Sequence, residues 1–323
     1  MSVVRSRIGT VLALLAACAA AGGCAPTQGE EPAGRSVGAQ AASPSAAPKT
    51  PAPAGQETPQ PAVAKRPDLT NLVAGWQVEA PGEEAGAVLL LGRDMTLWRS
   101  CGLAAMGVWR AADTVLVLDA GSFNGSCRRS RDRLPDWWTL VWGHRPDGSG
   151  HALLDRDGTV VARLRTGVTR PTHHPNVVKD MTRIPVLDAE LRSWLRRQVV
   201  PLPEGLTPVT PDRLVGRWVS PEKDARGSGE EPYIELDPDG SWHGSDGCND
   251  GMGRWAASPE STVVVTQALH TLVACPGPGP DATPDDVPGQ VQSAASVGLD
   301  GSELVLLDRA GKESTRLRRD DPT

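Results

Sequence analysis

The chain repeats itself, and the repetition constrains its fold more than any other feature. "LVAGWQV" at 72–78 returns as "LVGRWVS" at 214–220, so Trp76 corresponds to Trp218. Trp98 ahead of Cys101 corresponds to Trp242 ahead of Cys248, and "MGVWRAA" (106–112) to "MGRWAAS" (252–258), which pairs Trp109 with Trp255. Cys127 then faces Cys275, and "LLDRDGTVVARLR" (153–165) faces "LLDRAGKESTRLR" (306–318). Landmarks recurring in one order imply two homologous lobes, because each copy must bury its own apolar residues in the same way.

Within each copy the apolar runs are short and bounded by turn signals. "AVLLLGRDMTLWRS" (87–100) and "PYIELDPDGSWHG" (232–244) each read as two strands about a turn, and "TVLVLDA", "WWTLVW", "STVVVTQA" and "SELVLLDRAGKESTRLR" as further strands or hairpins. This spacing predicts a mainly β chain: two small antiparallel β-barrel-like lobes, at 68–170 and 208–323, joined by a linker at 171–207 containing one helix. The helix, expected at about 187–199, places Leu187, Leu191, Trp194, Leu195 and Val199 on one face. A connector packed on one lobe is the expected role; a basic amphipathic helix touching anionic lipid is the alternative.

The amino terminus reads as an export leader. Arg5 and Arg7 precede an apolar stretch, Ile8 to Ala17, too short to span a bilayer. "LAAC" ending at Cys18 and "AGGC" ending at Cys24 both match the pattern of a lipid-attachment signal, so residues 1–24 are expected to be a lipoprotein signal peptide with Cys18 or Cys24 as the lipidated residue. An ordinary cleaved secretory signal is the simpler alternative. Residues 25–67, a Pro/Ala-rich tract nearly devoid of bulky apolar side chains, read as a disordered tether. The expected location is therefore exported and lipid-anchored on the extracytoplasmic face of the cell membrane. The net charge of −6, with no basic stripe, argues against a nucleic-acid partner. Abundant Ala, Gly, Pro and Arg with scarce Lys is an actinobacterial kind of bias.

Outside the leader the chain has four cysteines, Cys101, Cys127, Cys248 and Cys275, an even number that suggests disulfides in an exported protein. Each lobe holds one pair at matching spacing, so the simplest connectivity is Cys101 with Cys127 and Cys248 with Cys275. Each such loop closure stabilises by roughly 3.5 kcal/mol on the entropy model. A four-thiolate metal site would need close CxxC pairs, which are absent.

Ten of the twelve aromatic residues are Trp, so in a core poor in Phe the indoles must supply much of the buried area. Trp76, Trp98, Trp109, Trp218, Trp242 and Trp255 recur between copies and are expected in the cores. Trp137, Trp138 and Trp142 of "PDWWTLVWG" have no counterpart and are the candidates for an exposed, glycan-stacking surface.

The second lobe, with "LVGRW", "PYIELDPDGSWHGSDGCNDGMGRW", "TLVACPG" and "SELVLLDRAGK", resembles the META/HslJ domain family. The motif residues that carry the resemblance are Gly247, Cys248, Asn249, Gly253 and Trp255. The first lobe is similar but degenerate, with Gly102 where Asn249 would stand. The resemblance implies a small β-barrel-like domain of envelope lipoproteins and of secreted or stress-induced proteins, a family with no established enzymatic activity. "GSDGCNDGMGRW" then reads as a structural corner: glycines turn the chain, Cys248 pins it, and Asp246 or Asn249 bonds local amides.

GxSxG, HExxH, GxxxxGK[ST] and GxGxxG motifs are all absent. His144 and His151 with Asp147 form at most a two-ligand site on a solvated turn, His173-His174 lies in a Pro-flanked linker, and Glu230-Glu231 and Asp285-Asp286 lie in loops. No catalytic residue, metal or cofactor is therefore expected. The expected function is a non-enzymatic envelope lipoprotein, a binding or stress-tolerance module whose partner is an unknown envelope protein or glycan. The alternative is a cell-wall-directed hydrolase with an unrecognised site.

Overall fold

The computed structural model describes residues 67–125, 134–168, 171, 179–196, 201–221, 231–273 and 286–320. Residues 1–66, with Cys18 and Cys24 and the stretches expected to be leader and tether, and Cys127, Cys275, His173, His174, Glu230 and Asp285 lie outside these. All the described residues belong to one compact unit, Ala62–Thr323.

The chain is mainly β. In the first lobe, β1 (Ala74–Glu79), β2 (Val88–Leu91), β3 (Met95–Arg99), β4 (Leu103–Ala112), β5 (Val115–Gly125), β6 (Gly143–Asp147), β7 (Gly150–Leu154) and β8 (Val160–Arg165) form a closed antiparallel ring, with β8 returning to β1. A short helix α1 (Asp136–Leu140) lies between β5 and β6, and a linker helix α2 (Ala189–Leu195) follows the ring. The second lobe comprises β9 (Thr207–Pro208), helix α3 (Pro211–Leu214), β10 (Gly216–Val219), β11 (Tyr233–Leu236), β12 (Ser241–Ser245), β13 (Asp250–Ala257), β14 (Val263–Val265), β15 (Leu269–His270), helix α4 (Val287–Ser293), β16 (Ser296–Asp300), β17 (Glu303–Leu307) and β18 (Glu313–Arg319). Its order, β14-β13-β12-β11-β10-β18-β17-β16-β9, repeats the strand pairing of the first lobe.

The likeness extends to single bonds. Trp76 donates its indole N–H to the carbonyl of Leu72 at 2.8 Å, and Trp218 does so to Leu214 at 2.7 Å. Trp109 bonds the carbonyl of Gly92 and Trp255 that of Asp237, at 2.8 and 3.0 Å. Asp155 and Asp308 each accept two backbone N–H groups across the same hairpin turn. The seam is similar: one residue pair, Val115 with Gly143, joins β5 to β6 in the first lobe, and an isolated bridge joins Thr262, just ahead of β14, to Ser296 of β16 in the second.

One expected correspondence is corrected. Met95 lies opposite Leu91 and Gly107, as Trp242 lies opposite Leu236 and Gly253. Met95, not Trp98, is thus the counterpart of Trp242. Trp98 points to the other face of β3, where it clusters with Val88, Leu90 and Ala104, with Val168 and the linker residues Met181 and Ile184 packed against them. A strand alternates sides at every residue, so a shift of three residues moves a side chain across the sheet.

The linker helix is shorter than expected. Asp188 caps its start, accepting from the N–H of Leu191 at 2.8 Å. Leu191 and Leu195 are buried in the first lobe's core, with Leu187 and Trp194 packed against them, while Val199 lies outside the described residues.

The lobes share a wall. Along β5, Leu116 and Leu118 face the first lobe's core whereas Val115 and Val117 belong to the second lobe's cluster. Alternation along one strand therefore feeds two cores. Trp142, from the first lobe's chain, completes this junction inside the second core.

Candidate functional site

The motif corner joins β12 to β13. Ser245 pairs with Asp250, and the four residues between them turn on one carboxylate. Asp246 Oδ1 accepts from the N–H of Cys248 at 2.9 Å and of Asn249 at 2.7 Å. Gly247 sits at φ +86, where a side chain would be strained. Asn249 then behaves like a strand residue in side-chain form. Its Oδ1 accepts from the N–H of Val273 at 2.6 Å and its Nδ2 donates to the Val273 carbonyl at 3.3 Å, fastening the segment after β15 to the corner. Cys248 is disulfide-bonded, as is Cys101 in the first lobe. Beside the corner is a polar cavity of about 250 Å³, with Asp246, Asp250, His270 and Asp286 on its walls. Asp286 is occupied as the cap of α4, accepting from the N–H of Gly289 at 3.0 Å. No group of three or more His, Cys, Asp or Glu among the described residues is disposed to hold a metal ion.

Gly253 and Trp255 lie further along β13, where the first lobe comes closest. A Cβ at Gly253 would stand 2.2 Å from the Thr266 carbonyl oxygen and 2.9 Å from a carboxylate oxygen of Asp119. Asp119 ends the apolar run of β5 and enters the second lobe, accepting from the Thr266 hydroxyl at 2.8 Å. Burial raises the pKa of its carboxyl, while the Thr266 bond and the nearby Arg254 charge act the other way. Arg254, its own pKa lowered by burial, donates to the carbonyls of Thr139 in the first lobe and Asp239 in the second. Sequence reasoning missed this junction, although "TVLVLD" carried a signal: a run apolar at every position belongs to a strand covered on both faces.

Trp137, Trp138 and Trp142 are not a surface. Their exposures are 2%, 1% and 8%, which corrects the expectation of an aromatic glycan platform. Trp137 donates to Glu83, whose carboxylate also holds Arg99 through two bonds of 2.8 and 3.0 Å. Trp138 packs in the first core. Trp142 donates to the Ala257 carbonyl at 2.9 Å and meets Trp255 edge to face at 5.0 Å. The sequence marked these rings as unmatched; what they do instead is fill α1's underside and the boundary between lobes.

His144 and His151 are buried rather than solvated. Their rings lie 5.6 Å apart, and His144 Nε2 is 3.1 Å from the Asp113 carbonyl. Burial, with His151 nearby, lowers the pKa of His144 to about 4, and burial lowers that of His151 too. Asp147 instead pairs with Arg163 and Arg165. Glu231 pairs with Arg318. Among the described candidates, Asp147 and Glu231 are thus engaged in ion pairs and Asp286 in a helix cap.

No curated protein and no solved structure matches the chain. Residues 213–321 match the family model of the META domain. That span begins in α3, takes in every strand from β10 to β18, and contains the Gly247-Cys248-Asn249 corner, so the second lobe of this chain is a META domain.

Proposed function

We propose that this protein is a non-enzymatic module of the cell envelope, exported and held by a lipid on Cys18 or Cys24, whose META lobe serves binding or stress tolerance outside the membrane. The observation that carries the reading is where the motif residues are used: Asp246 and Asn249 bond backbone, Cys248 is cross-linked, and Trp255 is fully buried. Such a corner maintains a rigid scaffold and leaves its outer faces for recognition. The first lobe, with the same strand pairing, is on this reading a degenerate copy of the second. Cys127 and Cys275 are the proposed disulfide partners of Cys101 and Cys248.

Cys18→Ala and Cys24→Ala variants of the full chain, expressed separately in a bacterial host, test the anchor by membrane fractionation. One of the two is expected to release the protein into the soluble exported fraction. Unchanged membrane retention in both, and in the double variant, would overturn lipidation. Cross-linking and pull-down from envelope extract then test for a partner.

A further inference from the structure

Between α2 and the two lobes lies a partly enclosed cavity of about 100 Å³. Leu69, Leu195 and Val264 give it aliphatic walls, Gln292 and Ser293 a polar margin, and Trp194, Arg110 and Arg309 bring an indole and two charges. The Arg110 guanidinium carbon stands 5.2 Å from the centre of the Trp194 ring. Of its five N–H donors, one is engaged among the described residues, Nη1 with the Trp109 carbonyl at 3.0 Å. Burial lowers its pKa, and the field of Asp94 opposes this without an ion pair forming between them.

This treatment of an arginine differs from others in the chain. Arg99 holds Glu83 in a fork, Arg93 reaches Asp188 and Glu190, and Arg165 reaches Glu79 and Asp147. Arg110 has its charge partly removed from water and its fork unmatched among the described residues, beside a space whose walls are partly apolar and partly polar. A guanidinium fork fits a carboxylate through two parallel bonds, and a space somewhat smaller than the cavity of about 150 Å³ that admits benzene fits a short hydrocarbon. We propose that this cavity binds a small aliphatic carboxylate, its carboxylate on Arg110 and its hydrocarbon tail against Trp194 and Val264. The inference stands independently of the envelope reading.

Butyrate is a suitable probe, with butyramide as the neutral isostere and inorganic phosphate as the anion without a tail. Titrations at constant ionic strength on the uniformly ¹⁵N-labelled full chain read the indole N–H resonance of Trp194, assigned with a Trp194→Phe variant. Butyrate is expected to move that resonance saturably, butyramide and phosphate to act much more weakly, and Arg110→Gln to weaken butyrate by about tenfold or more. Absence of a saturable shift, equal binding of butyramide or phosphate, or full affinity in Arg110→Gln would overturn the proposal. The remaining indole resonances report whether Arg110→Gln is folded. If it is not, Arg110→Lys, which keeps the charge and loses the fork, takes its place, and unchanged butyrate affinity there overturns the assignment equally.

Discussion

Trp142→Ala tests the claim that the two lobes stand or fall together. Trp142 follows α1 in the first lobe's chain, but its ring lies in the second lobe's core. Truncating a buried Trp to Ala costs about 3–5 kcal/mol. Loss of the edge-to-face contact with Trp255 accounts for about 1 kcal/mol, and the Ala257 carbonyl left without its donor for about 1 kcal/mol more. These overlap, so about 5 kcal/mol is the working figure. At roughly 2–4 °C per kcal/mol for a domain of this size, the midpoint should fall by about 10–20 °C. Differential scanning calorimetry of the full chain is the assay. Because β5 is a wall of both cores, wild type and variant should each melt in one transition that moves as a whole. Two separable transitions of which only one moves, or a shift below about 2 °C, would refute the shared-core reasoning. Trp138→Ala, deep in the first core, should lower the same single transition.

The folded state accepts His144 as the neutral imidazole, its pKa lowered from 6.5 to about 4. Its stability contribution is therefore complete above pH 6.5 and lost as pH falls towards 4, about 3 kcal/mol in all; urea midpoints across that window should decline far less in His144→Leu, and an equally steep decline would contradict the burial argument. Gly253→Ala drives a methyl against the Thr266 carbonyl and the Asp119 carboxylate and should cost about 3 kcal/mol or more, whereas Gly148→Ala meets open space at φ +63 and should cost only about 1 kcal/mol; chemical denaturation of both checks the contrast. Asn249→Ala removes both bonds to Val273 and should cost about 1–3 kcal/mol, with faster hydrogen exchange at the Val273 amide as the local readout. Peptide mapping without reduction should recover Cys101 linked to Cys127 and Cys248 linked to Cys275, and linkages crossing between lobes would exclude this pairing.

The sequence by itself determined what is local or periodic. Turns at "DRDG" and "DRAG" specify hairpins through one aspartate each, Gly247 and Asp246 specify the corner, and the recurring Trp76 and Trp218 anchors mark the same place in both lobes. The mainly β class and the duplicated strand order follow from such signals, because alternation and turn chemistry act over a few residues.

Only the tertiary structure decided which neighbour each face meets. Matching tryptophans in the sequence set Trp98 against Trp242, but the register of β3 gives that position to Met95, a shift already hinted at by the different distances of the two tryptophans from their cysteines. Trp137, Trp138 and Trp142 carry no mark in sequence of being inside rather than outside, since an indole suits either setting. The burial of His144 and His151, the entry of Asp119 into the second lobe and the meeting of Arg110 with Trp194 all depend on segments distant in the chain coming together. Periodicity reports that a strand has a covered face; the partner covering it is fixed by the packing of the whole molecule.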